Sequence, residues 1–182
     1  MKRLSTLAIA TVIYGTSFAQ NEFAKGYIIS AGGDTLKGEI HYHKKDIENY
    51  SHIMFRDATG AQKSYKPEKI SGYGADGKHF VSGMYKDEAT FYRAYSAGKI
   101  LVLEIVLETI IANNIAYVSE YYLMKQGDKD YTRINEKKTK KQLKEMMKDN
   151  TEFADKYDDD GKFDIVNVAK VVRQYDNWAR NK

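Results

Sequence analysis

From Lys25 to Ile134, short runs rich in Ile, Val, Tyr, Phe and Thr alternate with turn-forming clusters: "AGGDT", "RDATGAQ", "GADGK", "SAGK" and "QGDKD". Apolar runs of this length between Gly/Asp-containing turns predict an antiparallel β-meander built from hairpins. The expected strands cover 25–31, 35–43, 52–56, 62–66, 69–74, 78–83, 90–95, 99–108, 116–125 and 130–134. In the second of these, Leu36, Ile40 and Tyr42 fall on one face, and Lys37, Glu39, His41 and His43 fall on the other, so one face is core and one is wet. The run "KILVLEIVLETIIA" is apolar at nearly every position and rich in β-branched residues, which predicts a central strand rather than a helix. Its two acids, Glu104 and Glu108, are each expected to meet a Lys, an Arg or a Tyr hydroxyl at a strand end.

After Ile134 the period changes. Thr139 and Gln142 have capping-box spacing, and Leu143, Met146 and Met147 follow as an apolar stripe. A short helical turn is expected over 152–157. Asp164 then stands where it can cap a last helix whose Ile165, Val168, Val172, Tyr175 and Ala179 share a face. The fold class is therefore α+β: an antiparallel β-meander, as a sandwich or partly open barrel, followed by two or three C-terminal helices. A β-rich part (25–134) and a helical part (137–180) form one domain over 20–182, with the helices covering a face or edge of the sheet.

The first residues read differently. Lys2 and Arg3 precede an apolar stretch from Leu4 to Tyr14 and the small residues before Gln20, a pattern that predicts a secretory signal peptide over 1–19. The apolar stretch is far short of the roughly 20 residues that span a bilayer. Export to the periplasm, the cell envelope or the exterior follows as an expectation. With no cysteine, the chain has no disulfide, thiol nucleophile or lipidation site at the cleavage point. Loss of Lys2 and Arg3 from 29 basic residues leaves 27 against 25 acids, which removes the broad basic excess that nucleic-acid binding uses.

Four segments carry a family resemblance: "GYIISAGGDTLKGEI", "IMFRDATGAQKSYKPEKISGYG", "EYYLMKQGDKDYTRI", and the tail from "LKEMMKDNTEFADKY" to "VAKVVRQYDNW". Together they resemble uncharacterised secreted proteins of Bacteroidota-type bacteria, which carry an N-terminal GDT(I/L)KG hairpin, a β-meander and C-terminal helices. The resemblance spans nearly the whole expected mature chain and implies location and architecture; it transfers no site residue. Relatives often place a proline, sometimes with a cysteine, before the acidic residue of the short helical turn, where this chain has Asn150 and Thr151.

Candidate chemistry is sparse. Glu39, His41 and His43 project from one strand face at about 6.8 Å intervals and, with Glu48, offer a candidate metal site; the competing reading is a solvated strand face. Glu104 and Glu108, about 13 Å apart along a strand, are too distant for a glycosidase pair. Placing Gly161 at the sixth position of a calcium loop puts Lys156 first and Asn167 twelfth, which breaks the motif. "AGGDT" lies between strands and lacks the helix that makes a phosphate loop, so a positive φ at Gly32 or Gly33 is its simpler role. The lysines of 137–148 lie close in sequence to an acidic block and read as a solvated helix face, the alternative being contact with an anionic surface such as lipopolysaccharide or membrane headgroups. The 15 tyrosines, among them Tyr92, Tyr95, Tyr117, Tyr121 and Tyr122, read as core and rim positions.

These features imply a non-enzymatic binding or structural module with an envelope protein or a glycan as partner. They imply no cofactor, nucleic acid or transmembrane span. The alternative is a metal-binding protein or metal-dependent enzyme built on Glu39, His41 and His43. A small outer-membrane barrel is disfavoured, because most of the expected strands fall short of about 9 to 11 residues and the chain ends in amphipathic helices.

Overall fold

The computed structural model describes residues 23–42, 47–128, 130–158 and 162–182. The expected signal peptide and His43 lie outside these residues. All ten expected strands are present: β1 (Phe23–Ser30), β2 (Thr35–His41), β3 (Ile53–Arg56), β4 (Gln62–Tyr65), β5 (Ile70–Ala75), β6 (Lys78–Tyr85), β7 (Glu88–Ala97), β8 (Ile100–Ile111), β9 (Asn114–Lys125) and β10 (Thr132–Arg133). They form one antiparallel sheet in the order β10-β9-β8-β7-β6-β5-β1-β2-β3-β4, which is open between its two terminal strands. Neighbours in sequence pair throughout except at one step. After β4, the chain turns at Lys66–Lys69 and β5 pairs with the free edge of β1, so two meanders meet at β1–β5. β7, β8 and β9 reach 10, 12 and 12 residues, longer than the sequence pattern implies. Among the described residues no helix is long and apolar enough to cross a membrane.

The first hairpin turns where a positive φ is available, at Gly33 (φ 93°). Asp34 donates its backbone N–H to Ser30 Oγ, and Ser30 N–H pairs with the Asp34 carbonyl, closing the turn. The second glycine of "GDTLKG" has a packing role. Gly38 lies opposite Gly26, and a Cβ there would come within 2.6 Å of the Phe55 ring and 2.4 Å of the Arg56 carbonyl.

The sheet curls strongly. Tyr42, just after β2, and Tyr117, on β9, border one cavity although six strand steps separate β2 from β9. On a flat sheet that distance is about 29 Å. The curled interior holds Ile28, Ile40, Phe55, Tyr73, Phe80 and Phe91, with Tyr73 and Phe80 stacked at 4.4 Å. A 3₁₀ turn over Ile47–Tyr50 crosses this interior and is tied down by Tyr73, which donates its hydroxyl to the Asn49 carbonyl, and by Thr90, which donates to that of Tyr50.

Three helices follow: α1 (Thr139–Met146), α2 (Glu152–Asp155) and α3 (Ile165–Arg180). Asp164 caps α3 as expected, accepting from Val166 N–H at 2.8 Å. The predicted stripe of Ile165, Val168, Val172, Tyr175 and Ala179 is buried throughout. α3 covers Ile100 and Val102 of β8 and Leu123 of β9, while Leu103 and Ile105 pack on the other face against Tyr92 and Tyr122. A strand covered on both faces needs apolar residues at successive positions, which explains the run "KILVLEIVLE". The expected capping box does not form. Thr139 donates its hydroxyl to the Asn135 and Glu136 carbonyls, and Gln142 reaches back to Asn135 N–H and the Arg133 carbonyl, fastening α1 to the end of β10.

Because the Gly38 slot is closed by backbone as well as by a ring, Gly38→Ala is expected to lower unfolding stability by about 1–3 kcal/mol in urea denaturation. Gly32→Ala, whose Cβ would have its nearest neighbour at 3.6 Å, is expected to change stability little.

Candidate functional site

A cluster of polar side chains surrounds Glu104. The residue lies in mid-β8, across from Arg93 on β7 and Tyr121 on β9, and is buried. A carboxylate in this position needs partners, because removing a charge from water without them costs several kcal/mol. Ser119 donates to Oε1 at 2.8 Å, Tyr95 donates to Oε2 at 2.9 Å, and the Arg93 guanidinium stands 3.6 Å from Oε2. Glu104 thus meets an arginine and a tyrosine hydroxyl as expected, but within the strand and not at its end.

A β-bulge makes this arrangement possible. β7 pairs Ala94 with Leu103 and Ser96 with Val102, leaving Tyr95 as an extra residue. The bulge lets the Tyr95 hydroxyl bond Glu104 while its carbonyl accepts from Arg173 of α3 at 2.8 Å. Arg93 lies over the Tyr95 ring, 4.4 Å from its centroid, so its charge is held from two sides.

Beside this cluster opens a cavity of about 240 Å³, bordered by Tyr42, Tyr50, Lys78, Arg93, Glu104 and Tyr117, among others. Lys78 donates to the Tyr42 hydroxyl at 2.7 Å. Burial, then the Glu104 charge, push the phenols of Tyr50 and Tyr95 well above the ordinary tyrosine range. Burial raises Tyr121 as well. These phenols are neutral hydrogen-bonding groups at physiological pH.

Of the predicted metal face, the described residues include Glu39 and His41 but not His43. Glu39 is engaged by Arg56, whose Nε and Nη2 lie 2.7 and 2.6 Å from Oε2. His41 packs against Phe23, with ring centroids 5.4 Å apart. Among the described residues no three His, Asp or Glu side chains come together as a metal set. Lys25, Lys37, Glu39, Arg56 and Asp57 instead border a wide groove of about 730 Å³ on this face. Glu104 and Glu108 lie on one continuous strand, the geometry that separates them too far for paired catalysis. Of the singled-out tyrosines, Tyr92 and Tyr122 are buried, Tyr95 and Tyr121 partly so, and Tyr117 is 60% exposed. The basic and acidic blocks of the tail meet at Lys144 and Asp155, 2.8 Å apart.

Tyr50, Lys78 and Arg93 were not singled out by the sequence, and Tyr42 was named there only as a core position. The available signal was the solitary acid inside an apolar strand, which demands a cation; naming Arg93 requires the register of β7 on β8. Compared with family models, curated proteins and solved structures, the chain has no match. Fold and site define the class on their own: an open, curled antiparallel sheet with a C-terminal helical layer and a polar, aromatic cavity on its inner side.

A group whose folded pKa is raised contributes stability below its unfolded pKa and loses it as pH rises through the folded value. Tyr50, Tyr73, Tyr92, Tyr95 and Tyr122 all lie above the ordinary 10.0, chiefly through burial. Stability is therefore expected to fall above about pH 10, with tyrosinate absorbance rising in step with loss of the folded circular-dichroism signal. A smooth, non-cooperative titration of all the tyrosines in the still-folded protein would contradict this.

Proposed function

We propose that the protein is exported to the cell envelope and acts there as a non-enzymatic binding module, with the cavity beside Glu104 as its ligand site. The observation that carries this reading is the state of the groups facing the cavity. Both oxygens of Glu104 already accept hydrogen bonds. A general base needs an accessible lone pair with a pKa near working pH. Here the polar groups are fixed and satisfied, which suits recognition better than proton transfer. The charged, apolar and small-residue order of residues 1–19 supports export.

A glycan fragment fits this chemistry. Sugar C–H faces stack on aromatic rings such as Tyr50 and Tyr117, while hydroxyls accept from Arg93 and Lys78. Calorimetric titration with envelope-derived mono- and disaccharides is expected to reveal one saturable ligand class. Arg93→Ala and Tyr117→Ala should each weaken it about tenfold, a loss of about 1.4 kcal/mol. Turnover of any compound in a hydrolase panel by the purified protein would overturn the non-enzymatic assignment, and binding unaffected by both substitutions would move the site elsewhere.

A further inference from the structure

The hairpin of β8 and β9 runs beyond the rest of the sheet. β7 pairs with β8 only between Leu101 and Glu104, and β10 pairs with β9 only at Tyr122 and Leu123. From Ile105 to Ile111 and from Asn114 to Glu120, the two strands have only each other as strand partners among the described residues. Towards the tip the ribbon is apolar on both faces. Ile110 (75% exposed), Ile115 (65%) and Tyr117 (60%) lie on one side, and Ile111 (56%) and Val118 (39%) lie on the other. A two-residue turn at Ala112 and Asn113, both with positive φ, closes it.

Exposed strand edges usually carry protection: shortness, charge, proline or a bulge. The terminal strands of this sheet obey that rule. β4 has four residues including Lys63, and β10 has two including the exposed Arg133. The outer edge of β9 has none of these devices. Asn114–Ser119 reads "NIAYVS", without charge or proline, and its register on β8 is unbroken.

Insertion into lipid would leave the backbone groups of this edge unpaired in hydrocarbon, at several kcal/mol each. The nearest charges, Glu108 and Glu120, would also be repelled by anionic headgroups. An added strand satisfies those groups and covers the apolar side chains together. A second copy suits the edge, because an antiparallel two-fold at Tyr117 sets Ile115 opposite the partner's Ser119, Ala116 opposite the partner's Val118, and Asn114 opposite the partner's Glu120. No like charges meet across it. We propose that the free edge of β9, Asn114–Ser119, is a homodimerisation edge along which two copies join their sheets.

Sedimentation velocity of the purified protein is expected to show a concentration-dependent dimer. Ile115→Lys and Val118→Lys should each yield a monomer, whereas Lys63→Glu, on the opposite edge of the sheet, should leave the dimer intact. Amide hydrogen exchange of the unmodified protein at high and low concentration gives a second readout that is independent of variant folding, with slower exchange expected within Asn114–Ser119 at high concentration. A monomer at every concentration, a dimer that survives both β9 substitutions, or a monomer that floats with neutral lipid vesicles would overturn the proposal.

Discussion

A single open sheet that curls has one interior, and each strand reaching into it must be sealed from above. The 3₁₀ turn at Ile47–Tyr50 does this for the middle of the sheet. Its carbonyls at Asn49 and Tyr50 are claimed by Tyr73 of β5 and Thr90 of β7, so one short segment ties together the two neighbours of β6. Tyr50 then presents its ring to Phe80 and borders the cavity. Without that crossing segment the aromatic interior would open to water, and the cavity would lose a wall.

The same economy of position produces the Glu104 cluster. One extra residue in β7 separates Tyr95 from the regular pleat, and that residue serves two neighbours: its hydroxyl bonds the buried acid and its carbonyl bonds α3 through Arg173. Site and helical layer are therefore coupled through one bulge. Asp176, also buried, is held by Ser96 just beyond it and by the Ile100 N–H, in a space that the missing side chain of Gly98 leaves open.

Much of the fold was legible because its signals are local. Turn clusters placed the hairpins, alternation in 35–42 named Ile40 and Tyr42 as core but also Leu36, which is 49% exposed near the hairpin end, and Asp164 with its apolar stripe marked α3. What escaped was non-local. The pairing of β5 with β1 has no signature in either strand, and Gln142 fastening α1 to β10 rather than closing a capping box depends on where Arg133 ends. The site was half legible for the same reason: Glu104 announced a need for a cation, while Arg93, Tyr50 and Lys78 converge on it only through register and curl. On the polar strand face, alternation located Glu39 correctly but carried no hint that β3 would bring Arg56 against it.

The placement of α3 sets an order of events for the folding chain. Ile100, Val102 and Leu123 are covered by residues 165–180, which follow every strand in sequence, and β1 finds its second neighbour only when β5 has been made. Contacts this distant along the chain form late, because the intervening loop must close before they stabilise anything. A chain emerging N-terminus first would hold the inner faces of β8 and β9 uncovered until its last helix arrives. That interval is when an unprotected strand edge and an apolar sheet face are open together, and it places the greatest demand on whatever shields the nascent protein.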